Sequence, residues 1–572
     1  MIKRLLPPLL LILSPTLVFA EVSVSLDIKG LSGALQDNVD AYVSAIPNNE
    51  YSTSLRFQSR LTKEIEEAIN ALGYYNPEID FVVSDKGDQL TVNVTPGPPT
   101  RIKLVDVQLS GEAKDDEDFM RLIRLSPLKE GQTLNHNQYD SLKSGIRNLA
   151  LQKGYFDGAY SVSRLEVIPK LNEAIIRLHY DSGIRYQFGK STITGSQIDI
   201  QKVQSLQPYE IGDDYQVSKV GQHNQNLSNT EWFSSVFVEP ALSQVGKGRE
   251  LPMKVSLAPQ VRNQFETGLG YSTDVGAKLK FKWKKPWLNE HGHSFDTSLD
   301  LSIPEQQVTA SYKIPLDDVL KDYYVIQYGL KNVNRSDKKT LESNLAFERH
   351  WVLDSGWHRT AYIRYLVENY EFNAQGELGQ FVLPGLSYSR VVTRGSGPLI
   401  MSGNKQTIMF EVGDERALSE TSVFRLRGTS TWISSLGENH RGLFKVDVGA
   451  NIAAEPSKLS PSLRFFAGGD NSVRGYDYES ISPVDDAGNK TGGQYIATST
   501  LEYQYRITGN WWGATFFDVG DAFDDDPEWK RGAGFGVRWV SPVGPVKFDY
   551  ARGLDNKPQA EWRIHFSLGP EL

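Results

Sequence analysis

The sequence predicts three small α+β domains followed by a sixteen-stranded antiparallel transmembrane β-barrel. Three observations support this: an export signal at the amino terminus, a module that repeats three times in the first half, and alternating apolar and polar residues in the second half. The chain has 572 residues, a formal net charge of −9 and no cysteine. Without cysteine it has no disulfides, thiolate metal sites or cysteine nucleophiles, and the acidic balance counts against a nucleic-acid-binding surface.

Residues 1–20 have the three-part layout of a secretory signal peptide. Lys3 and Arg4 give a positive start, an apolar run follows, and Ala20 is a small residue at the expected cleavage site. The alternative is a retained membrane anchor. The prolines within the run disfavour it, and so does the length of the run, which is short of the ~20 residues that a spanning helix needs. We therefore expect an exported protein.

The first half contains three copies of one module, at residues 22–98, 100–182 and 184–258. Each copy reads as a strand, two helices and two strands, the pattern of a small α+β domain. A helical pattern in each copy ends in an aromatic pair, and these pairs are Tyr74-Tyr75, Tyr155-Phe156 and Trp232-Phe233. The regular spacing of the pairs indicates an internal repeat.

With the glycine before it, the Gly-Tyr-aromatic sequence at Gly73 and Gly154 resembles that of the POTRA domain (polypeptide-transport-associated domain), which precedes Omp85-type barrels. Packing of a helix end against a sheet explains the aromatic residues by itself, so the repetition carries the resemblance. The resemblance implies a periplasmic location. It also implies an open sheet edge, to which an extended client chain adds as an extra strand.

Residues 260–572 read as about ten-residue alternating segments separated by turn residues, which is typical of an outer-membrane barrel. In lipid every backbone group must be paired within the protein, so alternating strands require a closed sheet. The alternative is a water-soluble sandwich, which would use shorter and less aromatic strands. Sixteen segments are predicted, starting near 262, 276, 293, 306, 322, 338, 356, 380, 404, 421, 441, 493, 511, 531, 543 and 560. If the chain enters the barrel at residue 260 from the periplasm, odd-numbered strands run outward. The long connection at residues 453–492, between the eleventh and twelfth strands, then lies on the outer side, where such barrels carry their long loops.

That connection contains Val473, Arg474, Gly475 and Tyr476, a tetrad that resembles the loop signature of the Omp85 superfamily. In that family the loop folds back into the lumen and its arginine meets acidic residues of the inner wall. Strand alternation predicts that Glu502 and Asp518 point inward here. The resemblance thus implies that Arg474 pins the loop through both carboxylates, whereas the alternative is a solvated loop charge.

The first and last strands are expected to form the weakest junction of the barrel. Gly268 and Gly270 lie in the first strand and Phe566 in the last, and glycine weakens strand pairing. Gly569-Pro570 removes a backbone donor near the chain end. We expect this seam to open laterally, so that a client hairpin pairs with the exposed edge and passes into lipid without nucleotide.

Catalytic and cofactor motifs are absent from the sequence, and we expect no enzyme, no cofactor and no metal. His291-Gly292-His293 reads as a polar turn, and Asp524-Asp525-Asp526 reads as an exposed loop. Gly532, Gly534 and Gly536 alternate on a strand and open no helix, so they make no phosphate loop.

Three modules, sixteen strands and the Gly-Pro-Glu-Leu tail make the chain most similar to the TamA branch of the Omp85 superfamily. That resemblance implies assembly of autotransporters and related barrels, with TamB, anchored in the inner membrane, as a partner bound through the POTRA domains. One alternative is a general barrel-assembly insertase of the BamA branch, which carries five such domains. Another is a passive channel or a scaffold that bridges the envelope.

Overall fold

The computed structural model describes residues 24–568 except 247, 336–338, 373–374, 395–398, 487, 542–543 and 556–561. The predicted signal peptide at residues 1–20 and the predicted seam residues Gly569 and Pro570 lie outside the described residues. Among the helices that the structure describes, none is long and apolar enough to cross a membrane.

The first module has the predicted order of strand, two helices and two strands. Its elements are β1 (Ser25–Lys29), α1 (Ala34–Val43), α2 (Leu55–Asn70), β2 (Glu78–Val83) and β3 (Gln89–Thr95). In the sheet β3 is central, parallel to β1 and antiparallel to β2. Leu61, Ile65 and Ile69 form one buried stripe of α2 and pack in one core with Leu90 and Val92 of β3.

The second module repeats this arrangement. Its elements are β4 (Arg101–Ser110), α3 (Glu117–Leu125), α4 (His136–Lys153), β5 (Ala159–Ile168) and β6 (Glu173–Asp181), with sheet order β4-β6-β5. Gly154 ends α4 in the left-handed conformation, with φ of 90°. Tyr155 then turns into the core, where its ring meets that of Phe119 edge to face at 5.8 Å. The first aromatic residue of the pair thus packs the end of α4 into the core of the domain.

The third module consists of β7 (Gln187–Thr194), α5 (Ile200–Gln204), α6 (Val217–Asn229), β8 (Phe233–Pro240) and β9 (Glu250–Pro259), with sheet order β7-β9-β8. Trp232 is buried, and its indole donates a hydrogen bond to the carbonyl oxygen of Gly292 at 3.1 Å. The His291-Gly292-His293 turn is therefore covered by an aromatic side chain rather than fully solvated. His293 also pairs with the hydroxyl of Tyr312 at 2.8 Å.

Sixteen antiparallel strands follow in the part of the chain that the structure describes, in the sequential order expected of a barrel. They are β10 (Gln264–Ser272), β11 (Gly276–Lys285), β12 (Ser294–Ser302), β13 (Glu305–Pro315), β14 (Asp322–Asn334), β15 (Lys339–Val352), β16 (His358–Phe372), β17 (Gln375–Arg394), β18 (Ser402–Gly413), β19 (Val423–Leu436), β20 (His440–Ala453), β21 (Tyr495–Thr508), β22 (Trp511–Phe523), β23 (Lys530–Ser541), β24 (Gly544–Gly553) and β25 (Trp562–Leu568). The predicted fold class is confirmed. The largest difference in a strand start is at β17, predicted near 380 and observed at Gln375.

Side chains alternate along the strands as the pattern predicts. On β21, Leu501 and Tyr503 are exposed on the outer face, whereas Glu502 and Gln504 between them are buried. On this strand the side chains that face the lumen are therefore polar.

Candidate functional site

The segment between β20 and β21, residues 454–494, folds against the inner wall of the barrel. Its apolar side chains are buried together with Ile496 of β21 and Ala522 of β22, and they are Phe465, Ala467, Val473, Tyr476 and Ile481. Two isolated bridges, Phe465 to Gly493 and Ala467 to Ile481, give it a fixed backbone path. This segment, called the inner loop below, is an ordered plug with a small core of its own.

Arg474 of the inner loop contacts both carboxylates that alternation places inward. Its Nε and Nη2 donate to the two oxygens of Asp518 at 2.8 and 3.0 Å, and its Nη1 donates to Glu502 at 2.8 Å. The backbone N–H of Arg474 also donates to Asp518, at 3.1 Å. The guanidinium therefore forms a two-pronged bond to one strand and a single bond to its neighbour, a geometry that lysine cannot reproduce.

Two further residues complete this ion cluster and were missed by sequence reasoning. Asp549 of β24 accepts from Nη1 of Arg474 at 3.0 Å. Arg538 of β23 lies between Glu502 and Asp549 and donates to both, at 2.9 and 2.5 Å. Strand alternation could have indicated both, because exposed Val537 and Trp539 flank Arg538 and the aromatic rings of Phe548 and Tyr550 flank Asp549.

The cluster is buried, so each charge depends on its partners. The side chain of Arg474 is 7% exposed and that of Asp518 is fully buried. Burial by itself would lower the pKa of Arg474, but the carboxylates of Asp518, Glu502 and Asp549 raise it above its ordinary value. Arg474 therefore stays charged, and its guanidinium also lies over the ring of Phe516, 3.4 Å from the centroid.

Two glycines, Gly475 of the tetrad and Gly532 of the barrel wall, allow the inner loop to approach the wall closely. Gly475 has a φ of +91°, and a Cβ there would lie 2.4 Å from the backbone nitrogen of Gly553. A Cβ on Gly532 of β23 would lie 2.0 Å from the carbonyl oxygen of Arg474. Tyr476 is buried, and its hydroxyl accepts from the N–H of Asp555 at 3.4 Å. The inner loop thus approaches β23 and β24 to backbone contact.

Gly532→Ala is expected to displace the inner loop and lower the stability of the folded barrel by about 1–3 kcal/mol, because the added methyl group collides with backbone that cannot rotate away. The measurement is the temperature at which the folded band is lost in semi-native gel electrophoresis. The matched control is Gly329→Ala on β14, where a Cβ meets nothing within 4 Å. Equal midpoints for the two variants would contradict the close contact.

The seam between β10 and β25 differs from every other strand junction. No ladder joins these two strands over the residues that the structure describes, and they stand at the two ends of the sheet order. Thr273, just after β10, donates its N–H to the carbonyl oxygen of Phe566 at 3.1 Å, and its hydroxyl accepts the N–H of Phe566 at 3.1 Å. The rings of Tyr271 and Phe566 lie 5.8 Å apart.

The predicted seam residues have different positions in this junction. Phe566 is the last-strand residue that bridges it. Gly268 and Gly270 pair with Lys280 and Lys278 of β11 in a regular ladder. A Cβ on Gly270 would meet nothing within 4 Å, so no close packing requires a glycine there.

Asp274, Asp470 and His565 lie together beside the seam, with one potential ligand atom from each within 4.8 Å of the others. Nδ1 of His565 bonds to Asp470 at 2.6 Å, and its Nε2 accepts the N–H of Gly475 at 2.9 Å. Both ring nitrogens of His565 therefore have partners within the protein, and the three side chains form a hydrogen-bonded cluster.

Residues 262–571, more than half of the chain, match the sequence model of the Omp85 superfamily domain. The chain belongs to the Omp85 superfamily. Residues 25–96 match a POTRA domain described as TamA domain 1, and residues 102–181 match a POTRA model described as the surface antigen variable number repeat. These matches confirm the family placement and support the similarity to the TamA branch.

Other Omp85 proteins resemble the chain over most of its length. It is 25% identical over 534 residues to an outer membrane protein assembly factor BamA of Nitratidesulfovibrio vulgaris, covering 86% of this chain and 64% of that protein. It is 22% identical over 587 residues to BamA of Neisseria meningitidis serogroup B, covering 87% of this chain and 70% of that protein. The chain thus spans less than two thirds of the first relative.

A solved structure shows the same fold. BamA of Haemophilus ducreyi lacking POTRA domains 1–3 superposes with a TM-score of 0.68 at 14% identity, covering 82% of this chain and 99% of that one. With the sixteen-stranded barrel and the POTRA matches, the relatives place the barrel in a Gram-negative outer membrane and the POTRA domains in the periplasm.

Proposed function

We propose that the protein inserts client β-barrels into the outer membrane by opening laterally between β10 and β25. The observation that carries this proposal is the seam, where the described residues of the two strands form no ladder. The inner loop supports it, because Arg474 binds β21, β22 and β24 together, so these strands stay joined when the seam opens.

The energy for insertion comes from exchange of hydrogen bonds. An edge strand presents unpaired N–H and C=O groups, which are costly in lipid. A client hairpin that pairs with β10 or β25 satisfies those groups and replaces the two bonds of Thr273 with Phe566. No nucleotide and no enzymatic turnover are required by this scheme.

The POTRA domains would deliver clients to the barrel. Each of their three-stranded sheets has two edges, such as β1 and β2 of the first domain. An extended chain can add to such an edge through backbone hydrogen bonds, which demand little of its sequence. This suits a protein that handles many unfolded clients.

Reconstitution tests the proposal directly. The protein is placed in phospholipid liposomes, a urea-unfolded eight-stranded outer-membrane barrel is added, and folded client is followed by its gel shift. We expect faster folding than in liposomes that contain an unrelated closed porin. Equal rates in the two preparations would rule out insertase activity.

In its finer form, we propose a TamA-type role: assembly of autotransporters and related barrels with a TamB partner bound through the POTRA domains. The match of residues 25–96 to TamA domain 1 supports this form. Outer-membrane proteomics of a deletion strain tests it. Loss of a few autotransporters is the expected result, and restoration by the intact gene is the control.

The second candidate is a general insertase of the BamA type, favoured by the names of the two curated relatives. It predicts general collapse of the outer-membrane proteome in the same experiment.

A passive channel is disfavoured by the ordered inner loop. Conductance measurements test this, since a plugged lumen gives small, erratic currents and an open pore gives large, steady ones.

A further inference from the structure

Asp470 of the inner loop contacts both sides of the seam at once. Both of its carboxylate oxygens accept from the hydroxyl of Thr273, at 2.8 and 3.1 Å. One oxygen pairs with Nδ1 of His565 on β25 at 2.6 Å, and the backbone N–H of Asp470 donates to the carboxylate of Asp274 at 3.0 Å. The side chains of Asp470 and His565 are 5% and 7% exposed. The inner loop therefore spans a junction at which the described residues of the two strands form no ladder.

The same contacts connect this group to the tetrad. Because Nε2 of His565 accepts the N–H of Gly475, that nitrogen carries no proton, and the proton of a neutral ring must lie on Nδ1, facing Asp470. Gly475 is the residue next to Arg474. A movement of the tetrad away from the wall would therefore release His565 and, through it, Asp470.

We infer that Asp470 is a positioning residue that fastens the seam, joining the first-strand side through Thr273 and Asp274 to the last strand through His565. We call these four residues the clasp. The inference rests on the proposed lateral entry of clients, since it states what holds that entrance shut. Opening the seam then requires the inner loop to lose its contacts with one of the two strands. The loop therefore acts on the seam directly, and through Arg474 it also binds β21, β22 and β24 on the last-strand side.

Loss of Asp470 is expected to open the seam. In Asp470→Ala the bonds to Thr273 and His565 disappear, and the population with separated strands rises about tenfold, as expected for loss of a charge-assisted hydrogen bond. Nitroxide labels on Leu269→Cys and Ile564→Cys report the separation by pulsed electron paramagnetic resonance. Both positions are exposed on the outer face, and the chain contains no other cysteine.

The control is Asp477→Ala. Asp477 also lies in the inner loop and pairs with Arg563 of β25, but this pair does not span the seam. We expect its label distances to match those of the parent. If Asp470→Ala also matches the parent, the clasp is refuted. Should Asp470→Ala fail to fold, Thr273→Val keeps the side-chain shape and removes the hydroxyl that bonds Asp470 and Phe566, and it must show the same widening.

Client insertion measured on the same samples separates the clasp from the proposed function. Wider label distances with unchanged insertion would uphold the clasp and refute lateral entry. Unchanged distances would refute the clasp whatever the insertion rate.

The clasp also predicts a pH dependence centred on Asp274, which lies in the turn outside the strands. Burial and the nearby charge of Asp470 raise the pKa of Asp274 to about 7, against about 3.9 for a free aspartate. The closed seam therefore holds a proton that the open seam releases. This stabilisation of the closed form is full below pH ~4 and is lost as the pH rises through about 7.

We expect the separated population to be larger at pH 8 than at pH 5, and Asp274→Asn to abolish the difference, because the amide still accepts from Asp470 but does not titrate. Asp470 and His565 face Asp274 directly. The other charged residues that line the cavity beside it are Arg335, Asp477, Glu479, Lys490 and Arg563. A pH dependence that persists in Asp274→Asn would assign it to one of these groups and refute the role of Asp274.

Discussion

Arg474→Ala is expected to release the inner loop from the barrel wall and to lower the stability of the folded protein by about 3–5 kcal/mol. The size of the effect follows from the buried carboxylates that the substitution leaves behind. Arg538 would still pair with Glu502 and Asp549, but the fully buried Asp518 would lose the guanidinium that bonds both its oxygens. An uncompensated buried charge costs more than the pair contributes.

Two measurements test this prediction. The midpoint of heat-induced unfolding in semi-native gels should fall, and trypsin cleavage within residues 454–494 should become faster. The control is Arg416→Ala, because Arg416 is exposed and pairs with Asp414, two residues before it. Adding Asp518→Asn to Arg474→Ala should recover part of the loss, since it removes the stranded charge. Arg474→Lys should have an intermediate midpoint, because an ammonium group keeps the positive charge but cannot form the two parallel hydrogen bonds of a guanidinium. Identical midpoints for Arg474→Ala and Arg416→Ala would contradict the pinning role.

Much of this site could be predicted because strand alternation is a strong constraint. Glu502 and Asp518 each lie between two outward-facing residues, and in a closed barrel the other face is the lumen. The same rule applies to Arg538 and Asp549. What the rule does not contain is register: which inward residues of β21 to β24 lie level with one another depends on how each strand is offset from its neighbour. The convergence of five charged groups therefore emerges only in three dimensions.

The clasp residues illustrate a different limit. Asp274 and Asp470 lie in a turn and a loop, where no period relates sequence to direction, and they meet only because the inner loop folds back across the seam. The weak seam stays a prediction, and the structure gives it a different basis. Gly268 lies in an ordinary ladder with β11, whereas no ladder joins the described residues of β10 and β25.

A disulfide across the seam is expected to reduce client insertion to the level of protein-free liposomes while leaving the barrel folded. Ser272 and Ser567 adjoin the bridging residues Thr273 and Phe566, so Ser272→Cys with Ser567→Cys places two thiols on neighbouring edges. Because the chain has no cysteine of its own, the oxidised product is unambiguous. Once the edges are covalently joined, a client hairpin has no free strand to pair with.

The control for this experiment is a second disulfide, placed between two other strands of the barrel. Thr407 of β18 and Thr429 of β19 are direct partners in a complete ladder, so Thr407→Cys with Thr429→Cys joins strands that the proposed mechanism never separates. Insertion should continue in that oxidised control and in both single-cysteine seam variants, and a reductant should restore it in the seam pair. Insertion at the parental rate through an oxidised seam would show that clients do not pass between β10 and β25, because a covalent bond across that junction leaves no lateral path into the lipid.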